Sequence, residues 1–189
     1  TIHLHERDCS IQQRNQKVVE IAPAPNLDPT LAAALHADAI RLVEAAGYVN
    51  AGTVEFLVDP ESGAHYFIEC NPRIQVEHTI TEQVTGVDLV EAQLQIAAGA
   101  SLDDLGLAQN SVSTRGFSIQ SRVVAVGAGS ITSYKEPSGA GVRVDAAGYP
   151  GYTPPPQFDP LLAKVIVTSS AGASFESAVD RARRAVAEF

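Results

Sequence analysis

Two runs rich in strand formers, TVEFLV (53–58) and YFIEC (66–70), flank D-P-E-S-G-A-H, a spacer of turn-forming residues. Such a pattern predicts a β-hairpin. A turn centred near Ser62 sets Glu55 directly opposite Glu69, and Leu57 opposite Phe67. Directly opposed residues stand roughly 5 Å apart, and like charges in that position are destabilising. Two carboxylates on one face of an otherwise apolar hairpin therefore need a positive partner. Mg²⁺ suits the place, because it takes few carboxylates and completes its shell with water and phosphate oxygens. Asn71, two residues beyond Glu69 on the same face, offers a third oxygen. The competing reading is a register displaced by one residue, which turns one carboxylate to solvent.

The second run continues into E-C-N-P-R-I-Q-V-E-H (69–78). With alternation carried through the proline, Arg73, Gln75 and Glu77 share one face of an extended backbone, and Ile74 and Val76 the other. A guanidinium, an amide and a carboxylate so spaced make a small receptor for a planar oxyanion, with a base beside it. The charged face of a solvated edge strand accounts for the same pattern. Metal-holding carboxylates next to an oxyanion receptor point to phosphoryl transfer beside a small carboxylate-like substrate. The chain has no G-x-x-x-x-G-K-[ST] loop. G-A-G at 127–129 and at 139–141 lie between strand-like runs and read as hairpin turns rather than phosphate cradles.

With 189 residues the chain can hold one or two domains with an adequate core. Its net charge of −9 argues against nucleic acid or an anionic membrane as partner. No apolar stretch reaches the length of a membrane span, and no signal peptide is visible. Cys9 and Cys70 lack metal spacing and suit a reducing cytoplasmic setting. The chain opens at Thr1 and contains no methionine, as expected of part of a longer translation product.

Three helices are predicted. Asp28 and Pro29 open one with Leu31, Leu35, Ala39, Leu42 and Ala46 on a single face, closed by Gly47. A second runs from Asp88 to Ala98 and carries Leu89, Val90, Leu94 and Ala97. A third starts at Ser174 and turns Phe175, Val179, Ala182, Val186 and Phe189 inward. Strands are expected over 117–126, 131–135, 142–145 and 164–168. A compositional shift at 109–114 marks the expected boundary between residues 1–109 and 110–189. The first part reads as α+β, the second as a mostly antiparallel sheet with a terminal helix. His3 and His5 alternate on one strand face, a weak metal signal without a third ligand.

The runs E-R-D-C-S-I-Q (6–12), Q-K-V-V-E (16–20), G-T-V-E-F (52–56) and F-I-E-C-N-P-R-I-Q-V-E-H (67–78) together resemble the biotin carboxylase component of biotin-dependent carboxylases, in the ATP-grasp superfamily. The resemblance extends through T-G-V-D-L (85–89), G-V-R (141–143) and F-D-P-L-L-A-K (158–164), nearly the whole chain. It implies the C-terminal half of an ATP-grasp domain followed by a β-rich biotin carboxylase C-terminal domain. It also implies Mg²⁺ (or Mn²⁺), ATP and carrier-bound biotin as cofactors. Glu55, Glu69 and Asn71 would hold the metal, with Glu69 also at the nucleotide. Arg73, Gln75 and the backbone of Val76 would bind bicarbonate, and Glu77 would take its proton so that it attacks the γ-phosphate to give carboxyphosphate. Lys17 would neutralise the charge that results. Gln12 and Leu57 would line the nucleotide pocket, and Arg122 would stabilise the biotin enolate. Implied partners are a biotin carboxyl carrier domain, a carboxyltransferase component and a second copy of the chain in a homodimer, with Arg143 a candidate at that contact.

On residue type alone, Lys17 reads as a surface strand lysine, Gln12 as part of a hydrophilic loop, and Arg122 as the polar face of a half-buried strand. Asp159 matches an acidic position of the family. Asn15 stands where the family most often has histidine, Gln13 where it often has arginine, and the run after Arg122 is shorter than the family pattern. The resemblance places the first half of the ATP-grasp outside this sequence, so the chain by itself is expected not to carboxylate biotin. The rival readings are another ATP-grasp carboxylate–amine ligase and a non-catalytic assembly module with a vestigial site. Acyl-CoA and pyruvate carboxylases share this component, so the final acyl acceptor stays open.

Overall fold

The computed structural model describes residues 1–155, 157 and 159–189. Phe158, the first residue of the F-D-P-L-L-A-K run, lies outside the described residues. Strands β1 (Asp8–Gln13) and β2 (Gln16–Ala22) pair antiparallel around a two-residue turn. The turn residues Arg14 and Asn15 have φ of 51° and 62°. Two successive left-handed residues are the mark of a type I′ turn, whose twist matches that of the strands it joins. Gln12, loop-like by composition, is thereby a strand residue opposite Lys17.

Helix α1 (Pro29–Ala45) starts where its sequence predicts. The Asp28 carboxylate accepts from the backbone N–H groups of Thr30 at 2.8 Å and Leu31 at 3.2 Å, two donors that a helix start otherwise leaves unpaired. Of the expected inward face Leu35 alone is buried, and Leu42 is exposed.

Strands β3 (Thr53–Val58) and β4 (His65–Asn71) form the expected hairpin, with Glu55 opposite Glu69. Below that pair the ladder slips, so that Leu57 faces Tyr66 instead of Phe67. A β-bulge at Ile68, the extra residue between the Glu55–Glu69 and Phe56–Phe67 pairs, causes the slip. Pairing stops at Asn71, because Pro72 has no N–H to donate. The Arg73 N–H turns back to the Asn71 carbonyl at 2.8 Å, and the chain enters helix α2 (His78–Thr85) with Glu77 as its N-cap. The extended face predicted over 73–77 is therefore a turn running into a helix. Gln75 and Glu77 are buried, while Arg73 is exposed.

Helix α3 (Leu89–Ala97) is capped by Asp88, which accepts from the Glu91 N–H at 2.8 Å. None of its residues is buried, and Leu94 lies open to solvent. Strands β5 (Ser118–Val124), β6 (Val142–Ala146) and β7 (Leu161–Thr168) complete an antiparallel sheet in the order β1-β2-β5-β7-β6. Because β2 lies beside β5, this sheet joins chain segments from both sides of residues 109–114. Residues 131–135 do not form the expected strand; Ile131 exchanges backbone hydrogen bonds with residues 151 and 152 instead of with the sheet. The G-A-G run at 139–141 leads into β6, whose neighbour is β7, so it is not a hairpin turn between β5 and β6.

Alternation along the strands gives the sheet two different faces. Ile21, Ile119, Val165 and Val167 point to one side and pack under helix α4 (Phe175–Glu188). Ala178 and Ala185 are the buried residues of α4, small enough to bring the helix close to the strands, whereas Val186 is exposed rather than inward. The opposite face carries Ala22 and Ile166, packed on Ile80 and Val84 of α2. On that same face Glu20, Ser118 and Gln120 are fully buried. The Thr79 hydroxyl donates to Gln120 Oε1 at 2.6 Å, and Gln120 Nε2 donates to Glu20 at 2.8 Å. Helix α2 is thus held to the sheet by a small apolar contact and a string of buried hydrogen bonds.

Ile166 has no exposed surface and supports α2 from β7, between β5 and β6. Ile166→Ala is expected to lower the unfolding free energy by about 2–5 kcal/mol, measured as a shift in a chemical denaturation midpoint with unchanged slope.

Candidate active site

The buried polar face of the sheet ends at the N-terminus of α2, and there the charges gather. Glu77 is 2% exposed. One of its carboxylate oxygens accepts from Lys17 Nζ at 2.7 Å, and the other lies 3.2 Å from the Arg122 guanidinium. Lys17 also reaches Glu55 at 2.8 Å, and Arg122 donates from Nε to Glu20 at 2.7 Å. Carboxylates and cations therefore alternate from Glu20 through Arg122, Glu77 and Lys17 to Glu55. Strand β2 supplies Glu20 and Lys17, β5 supplies Arg122, β3 supplies Glu55, and the turn into α2 supplies Glu77. Lys17 is the tie between the five-stranded sheet and the β3–β4 hairpin.

Glu20 and Glu77 share Arg122 yet shift in opposite directions. Burial pushes the Glu20 carboxyl up, and Arg122 and Gln120 only partly offset it. Burial also acts to raise Glu77, but the hydrogen bond and charge of Lys17, with the charge of Arg7, outweigh it and hold Glu77 below the usual carboxylate range. Two neighbouring carboxylates with divided proton affinities are a common basis for separate chemical roles. For Lys17, burial lowers the ammonium pKa, and the hydrogen bonds to Glu55 and Glu77 more than reverse it. Cys9, with its thiol 3.9 Å from Glu77, is pushed up to about 11 by burial and stays a neutral thiol at neutral pH.

Around this chain of charges lie the other residues singled out from sequence. Gln75 donates to Glu55 at 2.6 Å and accepts from Arg7 at 2.7 Å. Asn71 bridges the hairpin carboxylates through its amide, 3.2 Å from Glu55 and 2.8 Å from Glu69. The carboxylates of Glu55 and Glu69 are hard oxygen donors of the kind Mg²⁺ takes, but Asn71 turns its amide nitrogen to them and its oxygen to Arg73, so the third oxygen expected from it requires the amide to turn over. Arg73 bonds the Asn71 side-chain oxygen and the Ile74 carbonyl, and makes no hydrogen bond or ion pair with Gln75 or Glu77. The Val76 carbonyl accepts from Lys164 at 3.1 Å. Gln12 is exposed and donates to the Cys9 carbonyl. Leu57 is likewise exposed on the hairpin. Arg143 stands apart, forked onto Asp145 and paired with Glu82 of α2.

Three contributors escaped the sequence reading. Glu20 had a signal: a lone carboxylate in the apolar run V-V-E-I-A needs a buried partner, and the β2–β5 pairing provides Gln120 and Arg122. Arg7 sits among charged neighbours and had none, yet it bonds Thr53, Gln75 and Thr81. Thr79 completes the string of bonds from α2 to Glu20.

Comparison with known proteins places this geometry in a family. Residues 1–105 match the carbamoyl-phosphate synthase L chain, ATP binding domain, and residues 120–189 match the biotin carboxylase C-terminal domain. The chain is 55% identical over 172 residues to a pyruvate carboxylase of Schizosaccharomyces pombe, covering 86% of this chain and 14% of that protein. The biotin carboxylase domain of a single-chain bacterial carboxylase superimposes with a TM-score of 0.94 at 46% identity, over 100% of this chain and 44% of that one. The biotin carboxylase domain of a thermophilic 2-oxoglutarate carboxylase bound to bicarbonate gives 0.91 at 44% identity, over 100% of this chain and 43% of that one. The chain spans about a seventh of the curated pyruvate carboxylase, and under half of each of these two biotin carboxylase chains. With more than half of its residues in the ATP-binding domain family and residues 120–189 in the biotin carboxylase C-terminal domain, the chain belongs to the biotin carboxylase family of the ATP-grasp superfamily.

Proposed function

We propose that this chain supplies the bicarbonate-activating half of a biotin carboxylase site, working in a longer carboxylase that transfers carboxyl groups to carrier-bound biotin at the expense of ATP. The observation that carries the reading is Glu77, a buried carboxylate held ionised between Lys17 and Arg122. An ionised carboxylate can receive the bicarbonate proton, and removal of that proton makes an oxygen nucleophile for the γ-phosphate. The paired Lys17 keeps Glu77 a weak base. Movement of Lys17 from Glu77 onto the developing oxyanion raises the proton affinity of Glu77 as the nucleophile forms, and stabilises the charge that appears.

Gln75, fixed between Arg7 and Glu55, would present its amide to bicarbonate beside the Val76 backbone. Arg73 is exposed and, among the described residues, its side chain bonds the Asn71 side chain and the Ile74 carbonyl alone, so it can close over a bound anion. Glu55, Glu69 and Asn71 would hold Mg²⁺ or Mn²⁺, which would neutralise charge on the ATP phosphates. Gln12 and Leu57, both exposed, would face the nucleotide, Leu57 with its apolar side chain. Arg122 would stabilise the biotin oxyanion from the far side of Glu77. The division into 1–109 and 110–189, a carboxyl carrier domain, a carboxyltransferase and a homodimer partner belong to the same reading.

In a carboxylase containing this segment, Glu77→Gln is expected to reduce bicarbonate-dependent ATP hydrolysis and biotin carboxylation by about 10²–10⁴-fold with Mg²⁺-ATP binding retained. Activity within tenfold of wild type removes Glu77 as the base. If the full-length protein fixes no labelled bicarbonate into biotin, the carboxylate–amine ligase reading takes over. Glu55→Gln is expected to abolish the Mg²⁺-dependent part of ATP binding, read by calorimetry.

The pH dependence follows from the direction of the Glu77 shift. A depressed carboxyl pKa adds stability above the unfolded pKa, and that stability is lost as pH falls through the folded value. Lys17→Met removes the interaction that depresses it, so the Glu77 carboxyl should titrate at higher pH in the variant, as read by carbon-13 NMR. No upward movement would show that Lys17 does not control the proton affinity of Glu77.

A further inference from the structure

His3 and His5 are two residues apart in the N-terminal segment, and the tertiary structure adds a third imidazole from the middle of α1. His3, His5 and His36 each place a ring nitrogen within 4.8 Å of the others. We propose that these three histidines form a binding site for a borderline divalent transition metal of the Zn²⁺ type, separate from the Glu55–Glu69 carboxylates. Imidazole is the ligand such ions favour, and three protein ligands leave a fourth position for water.

The surroundings are arranged as they are around metal-ligating histidines. Such residues donate their second ring N–H to a carboxylate or a backbone carbonyl, which sets the tautomer and aims the free nitrogen. His36 Nε2 lies 2.8 Å from the Glu6 carboxylate, and His5 Nε2 lies 3.5 Å from the Val112 carbonyl. Among the described residues, Nδ1 of His36 and Nδ1 of His5 have no hydrogen-bond partner. Glu6 is itself held, accepting from the Ala24 N–H at 3.3 Å. His3 Nδ1 accepts from the His5 N–H at 3.3 Å, which puts the ring proton on Nε2, so ligation through Nδ1 exchanges that bond for one to the metal. His5 has φ of 64°, a left-handed backbone unfavourable for a residue with a Cβ. Strain of that kind gathers at sites where side-chain placement matters.

Ligation needs a limited rearrangement. The His3 and His36 rings are stacked at 3.9 Å between centroids and must rotate for their lone pairs to converge. Bonds of about 2.0–2.1 Å at tetrahedral angles bring ligand nitrogens to roughly 3.3 Å apart, within reach of side-chain torsions from the present spacing. A bound ion would clamp the N-terminal segment to α1. It would also tie both to the 109–112 turn, where Gln109 already exchanges hydrogen bonds with the His3 backbone.

The test is calorimetric titration of the metal-stripped chain with Zn²⁺, joined by Co²⁺ absorption spectroscopy. Wild type should bind one equivalent that is absent from His36→Ala and retained in Glu55→Gln, with a Co²⁺ spectrum of nitrogen ligation. Glu6→Gln should weaken that equivalent by about 10–100-fold. Zn²⁺ should raise the melting temperature of chelator-treated wild type but not that of chelator-treated His36→Ala. Should His36→Ala not fold, His3→Ala serves for the same comparison. The proposal falls if wild type shows no saturable micromolar equivalent, or if the equivalent survives in His36→Ala or disappears in Glu55→Gln.

Discussion

The fold and the site both depend on one buried carboxylate. Glu77 closes the turn after the hairpin, stands at the N-cap position of α2, and receives Lys17 from β2 and Arg122 from the neighbouring β5. A charge so little exposed is tolerable only when paired and hydrogen-bonded on both oxygens, because removal from water costs several kcal/mol or so per ion after relaxation. The alternation from Glu20 to Glu55 meets that need for every member at once. Breaking one link leaves a neighbour charged and unpaired, so the five residues act as a unit. The arrangement that makes Glu77 affordable to bury is also the one that keeps it ionised.

Helix α2 gives this unit its position. It is short, and just two of its apolar residues, Ile80 and Val84, are fully buried. Threonine, glutamine and glutamate side chains hold the rest of it, through Thr79 to Gln120, Glu82 to Arg143, and Gln83 to Thr168. Directional bonds define the helix position more narrowly than apolar contact would, since each has a preferred distance and angle. Arg143 contributes here, within the chain, by fixing α2 onto β6.

Local chemistry explains what could be read in advance. Turn formers between alternating runs set Glu55 opposite Glu69, and Asp28 and Asp88 marked helix starts through hydrogen bonds made within three residues. The bulge at Ile68 was not legible, because either register keeps apolar residues on the hairpin. Alternation was carried too far through Pro72, where loss of a donor ended the ladder and sent Arg73 away from Gln75 and Glu77. The exposed face of α3 reads from sequence as a core face, since amphipathicity does not state what covers it.

The sequence by itself determined the hairpin with its opposed carboxylates, the helix starts, the alternating strands and the family, all properties of short range or of motif. Only the tertiary structure decided that Glu20 meets Arg122, that Arg7 holds Gln75, and that His36 joins His3 and His5. Those contacts span from 31 to 102 residues of chain, and no spacing rule reaches so far. They follow from which strands lie side by side and where a helix crosses them. That is a property of the packed sheet, set by burying its two faces together.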